Sequence, residues 1–130
     1  MRKLFVFVAL SFVLFGQVSS QPFEITADAM RDIEDTTKSL DSNVALKDAK
    51  TAVEQAKEVA AFFQQVEGYY AQKGDAADAV GFARKTHELA AQVQAAIDAQ
   101  NFDAANEAVS QLARSCKTCH EVYKKKSLTS

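Results

Sequence analysis

The sequence predicts an all-α protein folded as an up-down-up-down antiparallel four-helix bundle. Three observations carry this. Past the first twenty residues the chain is rich in Ala, Gln, Glu, Asp and Lys and holds a single proline, Pro22, a composition that favours helix over strand. Three clusters of turn and capping residues divide it into four segments. Each segment repeats its apolar residues at alternating spacings of three and four, which places them on one face of a helix.

The first segment carries Met30, Ile33, Thr37, Leu40 and Val44 on one stripe. Asp41-Ser42-Asn43 is the turn and cap cluster expected to close it. The second carries Ala49, Ala52, Ala56, Val59, Phe63, Val66 and Tyr70, and closes at Lys73-Gly74-Asp75. Gly74 suits the left-handed position that follows many helices. The third carries Ala79, Phe82, Thr86, Leu89 and Val93, and closes at Gln100-Asn101-Phe102-Asp103. The fourth carries Ala105, Val109, Leu112, Cys116, Cys119 and Tyr123. Short connections favour antiparallel neighbours. The abundant alanine lets helices approach closely and leaves room for a flat cofactor. No internal repeat or low-complexity segment interrupts the pattern.

Residues 1–20 read as a signal peptide. Arg2 and Lys3 make a positive start, and Leu4 to Phe15 is almost unbroken apolar sequence, too short to span a bilayer comfortably. Val18-Ser19-Ser20 offers small residues for cleavage before Gln21. The mature domain, 21–130, is about 110 residues, enough for one modest core. The expectation is an exported, periplasmic protein with no stable membrane insertion after cleavage. The full chain has a net charge of −2, and losing Arg2 and Lys3 takes it to about −4. That balance argues against nucleic acid as a partner. The short basic run Lys124-Lys125-Lys126 reads as a solvated helix end favoured by the macrodipole, with docking of an acidic redox partner as the alternative.

The chemistry is concentrated in Cys116-Lys117-Thr118-Cys119-His120. C-x-x-C-H is the attachment signature of c-type haem. Two thiols at this spacing add across the two vinyl groups of one porphyrin, and the adjoining histidine is placed to bind the iron. These are the only two cysteines. A thioredoxin-like site would want a βαβ context, which is missing from the pattern. A zinc site would want four ligands, and the remaining histidine, His87, is far away in sequence. In a helix, Cys116, Cys119 and His120 project from neighbouring positions on one face, the face of Val109 and Leu112, so one covalently bound haem c would lie against the bundle core. Tyr123 follows one turn after Cys119 and should pack near the porphyrin edge or the proximal ligand. Attachment of c-type haem outside the cytoplasm agrees with the export signal.

An exported four-helix chain with C-x-x-C-H in its last helix and Tyr123 three residues after the histidine resembles the cytochrome c′ / cytochrome c-556 family. The likeness covers the mature chain in architecture. In sequence it is specific at Cys116, Cys119, His120 and Tyr123, and weakly at Met30. Family members usually carry arginine directly after that tyrosine. Lys124 stands here, which keeps the charge and loses the planar fork. The resemblance implies a five- or six-coordinate haem whose distal face is covered by the first helix. It implies either a gas-binding protein with an apolar distal residue, or an electron carrier with a distal methionine. Helical dimers using the first two helices would suit the family.

Met30 is the only methionine of the mature chain and falls where the family's distal residue lies. A thioether opposite histidine raises the reduction potential, as an electron carrier needs; the bland alternative is that Met30 fills core space. His87 is the rival ligand, but a helical wheel puts it at the flank of the third helix, about 100° from the centre of its apolar face. Asp28, Asp32, Glu34 and Asp35 read as a solvated helical face. No phosphate loop, nucleophile–base pair or second metal motif supports an enzyme. The expectation is a monohaem c-type cytochrome carrying single electrons to redox partner proteins, with Cys116 and Cys119 as tethers, His120 as proximal ligand and Met30 as distal ligand. The alternative is a c′-like protein that binds NO or CO at an open distal position.

Overall fold

The computed structural model describes residues 22–128, with side chains as far as Tyr123. The expected leader, 1–20, lies outside the described residues, as do the side chains of Lys124, Lys125 and Lys126. Four helices follow one another: α1 (Ala27–Ala45), α2 (Ala49–Lys73), α3 (Ala77–Asp98) and α4 (Phe102–Leu128). The described residues contain no strand. Three-residue connections turn the chain back on itself each time, so consecutive helices are antiparallel. Each helix packs on the one before it, and α4 closes the ring against α1. This is the four-helix bundle the periodicity predicts. Among the described residues no helix is long and apolar enough to cross a membrane.

The stripes become the core. Ile33, Leu40, Val44, Ala52, Ala56, Val59, Phe63, Val66, Leu89, Val93, Val109 and Leu112 are all buried in one cluster. Ala49, placed at the head of the α2 stripe, is exposed, because it is the first residue of its helix and overhangs the core. Ala83 and Ala90 on α3 and Ala105 and Ala108 on α4 add small buried residues, and Ile97 on α3 adds a large one.

One boundary differs from expectation. Asp41-Ser42-Asn43 does not end the first helix; α1 continues through it to Ala45. Its polar side chains are satisfied without leaving the helix. Ser42 Oγ donates to the Lys38 carbonyl at 3.2 Å, and Asn43 Nδ2 donates across to Gln55 of α2 at 2.9 Å. The turn falls at Leu46-Lys47-Asp48 instead. Lys47 adopts the left-handed conformation, φ 60°. Its N–H bonds to the Val44 carbonyl, and the Asp48 N–H bonds to that of Asn43, the paired bonds of a Schellman ending. Asp48 then caps α2 by accepting from the Thr51 N–H at 3.2 Å. The α3 terminus repeats the device with Gln100 at φ 57°. Asn101 caps α4 by accepting from the Ala104 N–H at 3.1 Å. Gly74 takes φ 76° after α2, as its position predicts.

Candidate cofactor site at the open end of the bundle

The two ends of the bundle are built differently. Leu40, Val44, Val59, Val93, Val109 and Leu112 close one half completely. At the other end meet the start of α1, the end of α2, the start of α3 and the end of α4. There Met30, Phe62, Tyr70, Phe82, Cys116, Cys119 and Tyr123 are only half-buried. Of the aromatic residues described, all but Phe102 lie toward this end. Phe23 meets Phe62 edge-on at 5.7 Å, Phe62 meets Phe63 at 5.4 Å, and Tyr70 leans on Tyr123 at 5.8 Å. Large apolar side chains left half-buried together at one end form a surface that a flat apolar group could cover.

All five residues expected at the site are on this end. Cys116 packs against the core cluster. Burial first, and then the neighbouring Cys119, push its thiol up to about 11. Burial and the Asp78 carboxylate also raise the Cys119 thiol. Both cysteines are free thiols. His120 is exposed. Met30 is half-buried at the start of α1, where its N–H bonds to the Thr26 carbonyl at 3.0 Å and the Thr26 hydroxyl caps the helix by accepting from Ala29 at 3.1 Å. Among the described residues no three His, Cys, Asp or Glu side chains converge as a metal-ion cage.

Met30 and His120 stand on the two helices of the α1–α4 seam. A groove of about 320 Å³ runs between the two helices, walled by Thr37, Lys38 and Asp41 on one side and Val109, Ser110 and Ala113 on the other. Three residues from Thr37 on α1 is Glu34, and three from Ala113 on α4 is Cys116; the charge of Glu34 acts on the Cys116 thiol. Four further along both are Met30 and His120. Met30 is also seven and eleven residues from Thr37 and Asp41, and His120 is seven and eleven from Ala113 and Val109. Both spacings bring residues back to the same helix flank. Met30 is thus one turn from Glu34 along α1 and His120 one turn from Cys116 along α4, so both lie toward the same end of the α1–α4 seam.

His87 lies elsewhere. It follows Arg84 by three residues on α3, and Arg84 bonds to Glu67 of α2 at 2.8 Å. His87 thus stands on the flank that meets α2, half-buried, away from the seam of α1 and α4. Three neighbours of the site escaped the sequence reading. Glu34 counted as solvated face, and it does pair with Lys38 at 2.9 Å, yet its charge reaches Cys116. Tyr70 counted only as core, and Asp78 not at all. Asp78 accepts a hydrogen bond from the Tyr123 hydroxyl. Burial and that bond push the hydroxyl up to about 12.

The donor set fits a covalently held haem: two half-buried thiols one turn apart, an imidazole on the next residue, and a half-buried thioether at the same end of the bundle on α1. The thiol environment makes a test on the apoprotein. Thiolate is the reactive form, and moving the thiol from its ordinary 9.0 to about 11 cuts the thiolate fraction near pH 8 by about two orders of magnitude. Iodoacetamide should modify Cys116 in the folded apoprotein correspondingly slower than free cysteine, with Cys119 also slowed. The folded state favours the protonated thiols. The stability that Cys116 contributes is therefore fully present below about pH 9 and is lost as pH rises through about 11. Peptide mass mapping over a pH series checks this; free-cysteine rates at both positions at pH 8 would refute it. Comparison with known protein families, with curated proteins and with solved structures finds no match.

Proposed function

We propose that the chain is an exported monohaem c-type cytochrome that carries single electrons, of the kind its resemblance to the cytochrome c′ / cytochrome c-556 family suggests. The observation that supports this reading most is the C-x-x-C-H motif carried on α4, with Cys116 and Cys119 half-buried at the end of the bundle where Met30 also lies. When bound, the haem supplies a one-electron iron couple. The chain does the rest. Cys116 and Cys119 tether the group from the core side, and His120 binds from α4. Met30 binds from α1, where the Thr26 cap fixes the turn that carries it. Phe62, Tyr70 and Phe82 surround the apolar edge and exclude water. With ligands supplied from two packed helices, the chain would hold the group with little change of its own side chains during transfer. The leader places the protein in the periplasm, and its partners are other redox proteins.

An optical spectrum of the purified holoprotein tests the reading. It should be low-spin in both oxidation states, with a methionine-to-iron charge-transfer band in the ferric form and slow or absent CO binding in the ferrous form. A high-spin spectrum with prompt CO binding would remove Met30 from the iron and make the c′-like binding of NO or CO the function.

A further inference from the structure

The attachment motif is tied to α3 on both sides. Just before it, Ser115 and Thr86 hydroxyls meet at 2.8 Å, both buried. The Thr86 hydroxyl also donates to the Phe82 carbonyl at 2.8 Å. Its single proton is thereby committed, so Ser115 is the donor in the pair. Just after the motif, the Tyr123 hydroxyl donates to Asp78 Oδ1. The two ties are eight residues apart on each helix, running in opposite directions, so they belong to one antiparallel register. Between them lie Cys116, Cys119 and His120.

The second tie is itself anchored. Asp78 is the second residue of α3, and its Oδ1 also accepts from the Ala79 N–H at 3.0 Å. Its charge lies at the positive end of the helix dipole. The Tyr123 ring rests on Tyr70 of α2, and Tyr70 rests on Tyr69 at 5.3 Å. The last turns of α4 are thus joined to the start of α3 and the end of α2 at one point. On α1 the side-chain bonds to a neighbouring helix run to α2, from Ser39 and Asn43 to Gln55, well away from Met30.

We infer that Asp78 and Tyr123, with Thr86 and Ser115, form a two-point brace from α3 that positions His120. The inference rests on the haem reading and deepens it. Groups that hold a metal ligand's backbone and orientation set how firmly that ligand binds. Here the brace fixes the turn of α4 that presents the imidazole. Asp78 and Tyr123 are positioning residues; neither touches the iron.

Two readouts test this, one of them independent of haem. In the apoprotein, amide hydrogen exchange over residues 116–123 should accelerate about tenfold in Tyr123→Phe and in Asp78→Ala, the scale expected for loss of a hydrogen bond to a charged group. The double variant should go no further than Asp78→Ala alone, because Tyr123→Phe removes a bond that Asp78→Ala has already removed. Asp78→Asn keeps an acceptor and should stay near the wild-type rate. In ferrous holoprotein carrying Met30→Ala, the iron–histidine stretching band should broaden and shift in Tyr123→Phe and stay in place in Asp78→Asn. Unchanged exchange in Tyr123→Phe, or additive effects in the double variant, would overturn the brace. Faster exchange with an unmoved iron–histidine band would overturn its role at His120. Colourless protein with the exchange effects intact would instead locate the failure in the haem reading, and the positioning of an iron ligand would fall with it.

Discussion

Made alongside a haem-attachment system, the Cys116→Ser/Cys119→Ser double variant should lose essentially all covalently held haem, while the wild type keeps its haem through denaturing electrophoresis. The expectation follows from where the thiols stand. Both lie on the core side of α4, one turn apart, half-buried and free, with their protons retained near neutral pH because burial raises both. A neutral thiol facing an apolar opening is the form that can approach a porphyrin vinyl group without desolvating a charge. Removing both leaves His120 and Met30 as the only attachments, and these can exchange with solvent. Each single variant should keep one thioether and an intermediate colour yield. Serine closely matches cysteine in shape and Cys116 is only partly buried, so the helical content of the double variant should match that of the wild-type apoprotein. Circular dichroism therefore separates loss of attachment from loss of fold. Equal haem retention in wild type and double variant, or colourless wild type, would defeat the assignment of the motif.

Periodicity was sufficient for the four helices because each stripe had only one way to be buried, and Ile33, Leu40, Val59, Val93 and Leu112 went where their spacing put them. The first turn was illegible for a physical reason. The residue that takes the left-handed conformation there is Lys47 and not a glycine, while Ser42 and Asn43, which look like turn formers, satisfy themselves within α1 and against Gln55. Gly74, by contrast, announced its turn. At the site, the motif named Cys116, Cys119 and His120, since their chemistry depends on spacing within one helix. Asp78 and Glu34 could not be named, because their connection to α4 depends on how the helices are set against one another. That register is fixed by long-range contacts such as Ser115 with Thr86. Counting back from the turns would have placed the start of α3 beside the end of α4, and this was the one available signal for Asp78.

Replacing Met30 should change the iron more than the fold. Met30→Ala in the holoprotein should convert a low-spin spectrum to a high-spin one, remove the charge-transfer band, and open the ferrous form to prompt CO binding. The reduction potential should fall, because the thioether that favours the ferrous state is gone. The structural effect should be small by comparison. Met30 is half-buried, so truncation should cost about 1–2 kcal/mol, below the range for a fully buried residue. Alanine also preserves the helical first turn that Thr26 caps. Met30→Leu separates packing from ligation, since it keeps the side-chain volume and lacks a donor. If sulfur on iron is what matters, Leu and Ala give the same spectrum and differ in CO rate, with leucine slower because it still covers the distal side. If Met30 only fills space, Met30→Leu matches the wild type throughout, and the place of Met30 at this end of the bundle has no chemical consequence. Thermal unfolding of the three apoproteins completes the comparison, because a change at the iron without a matching loss of stability is a result that packing alone cannot produce.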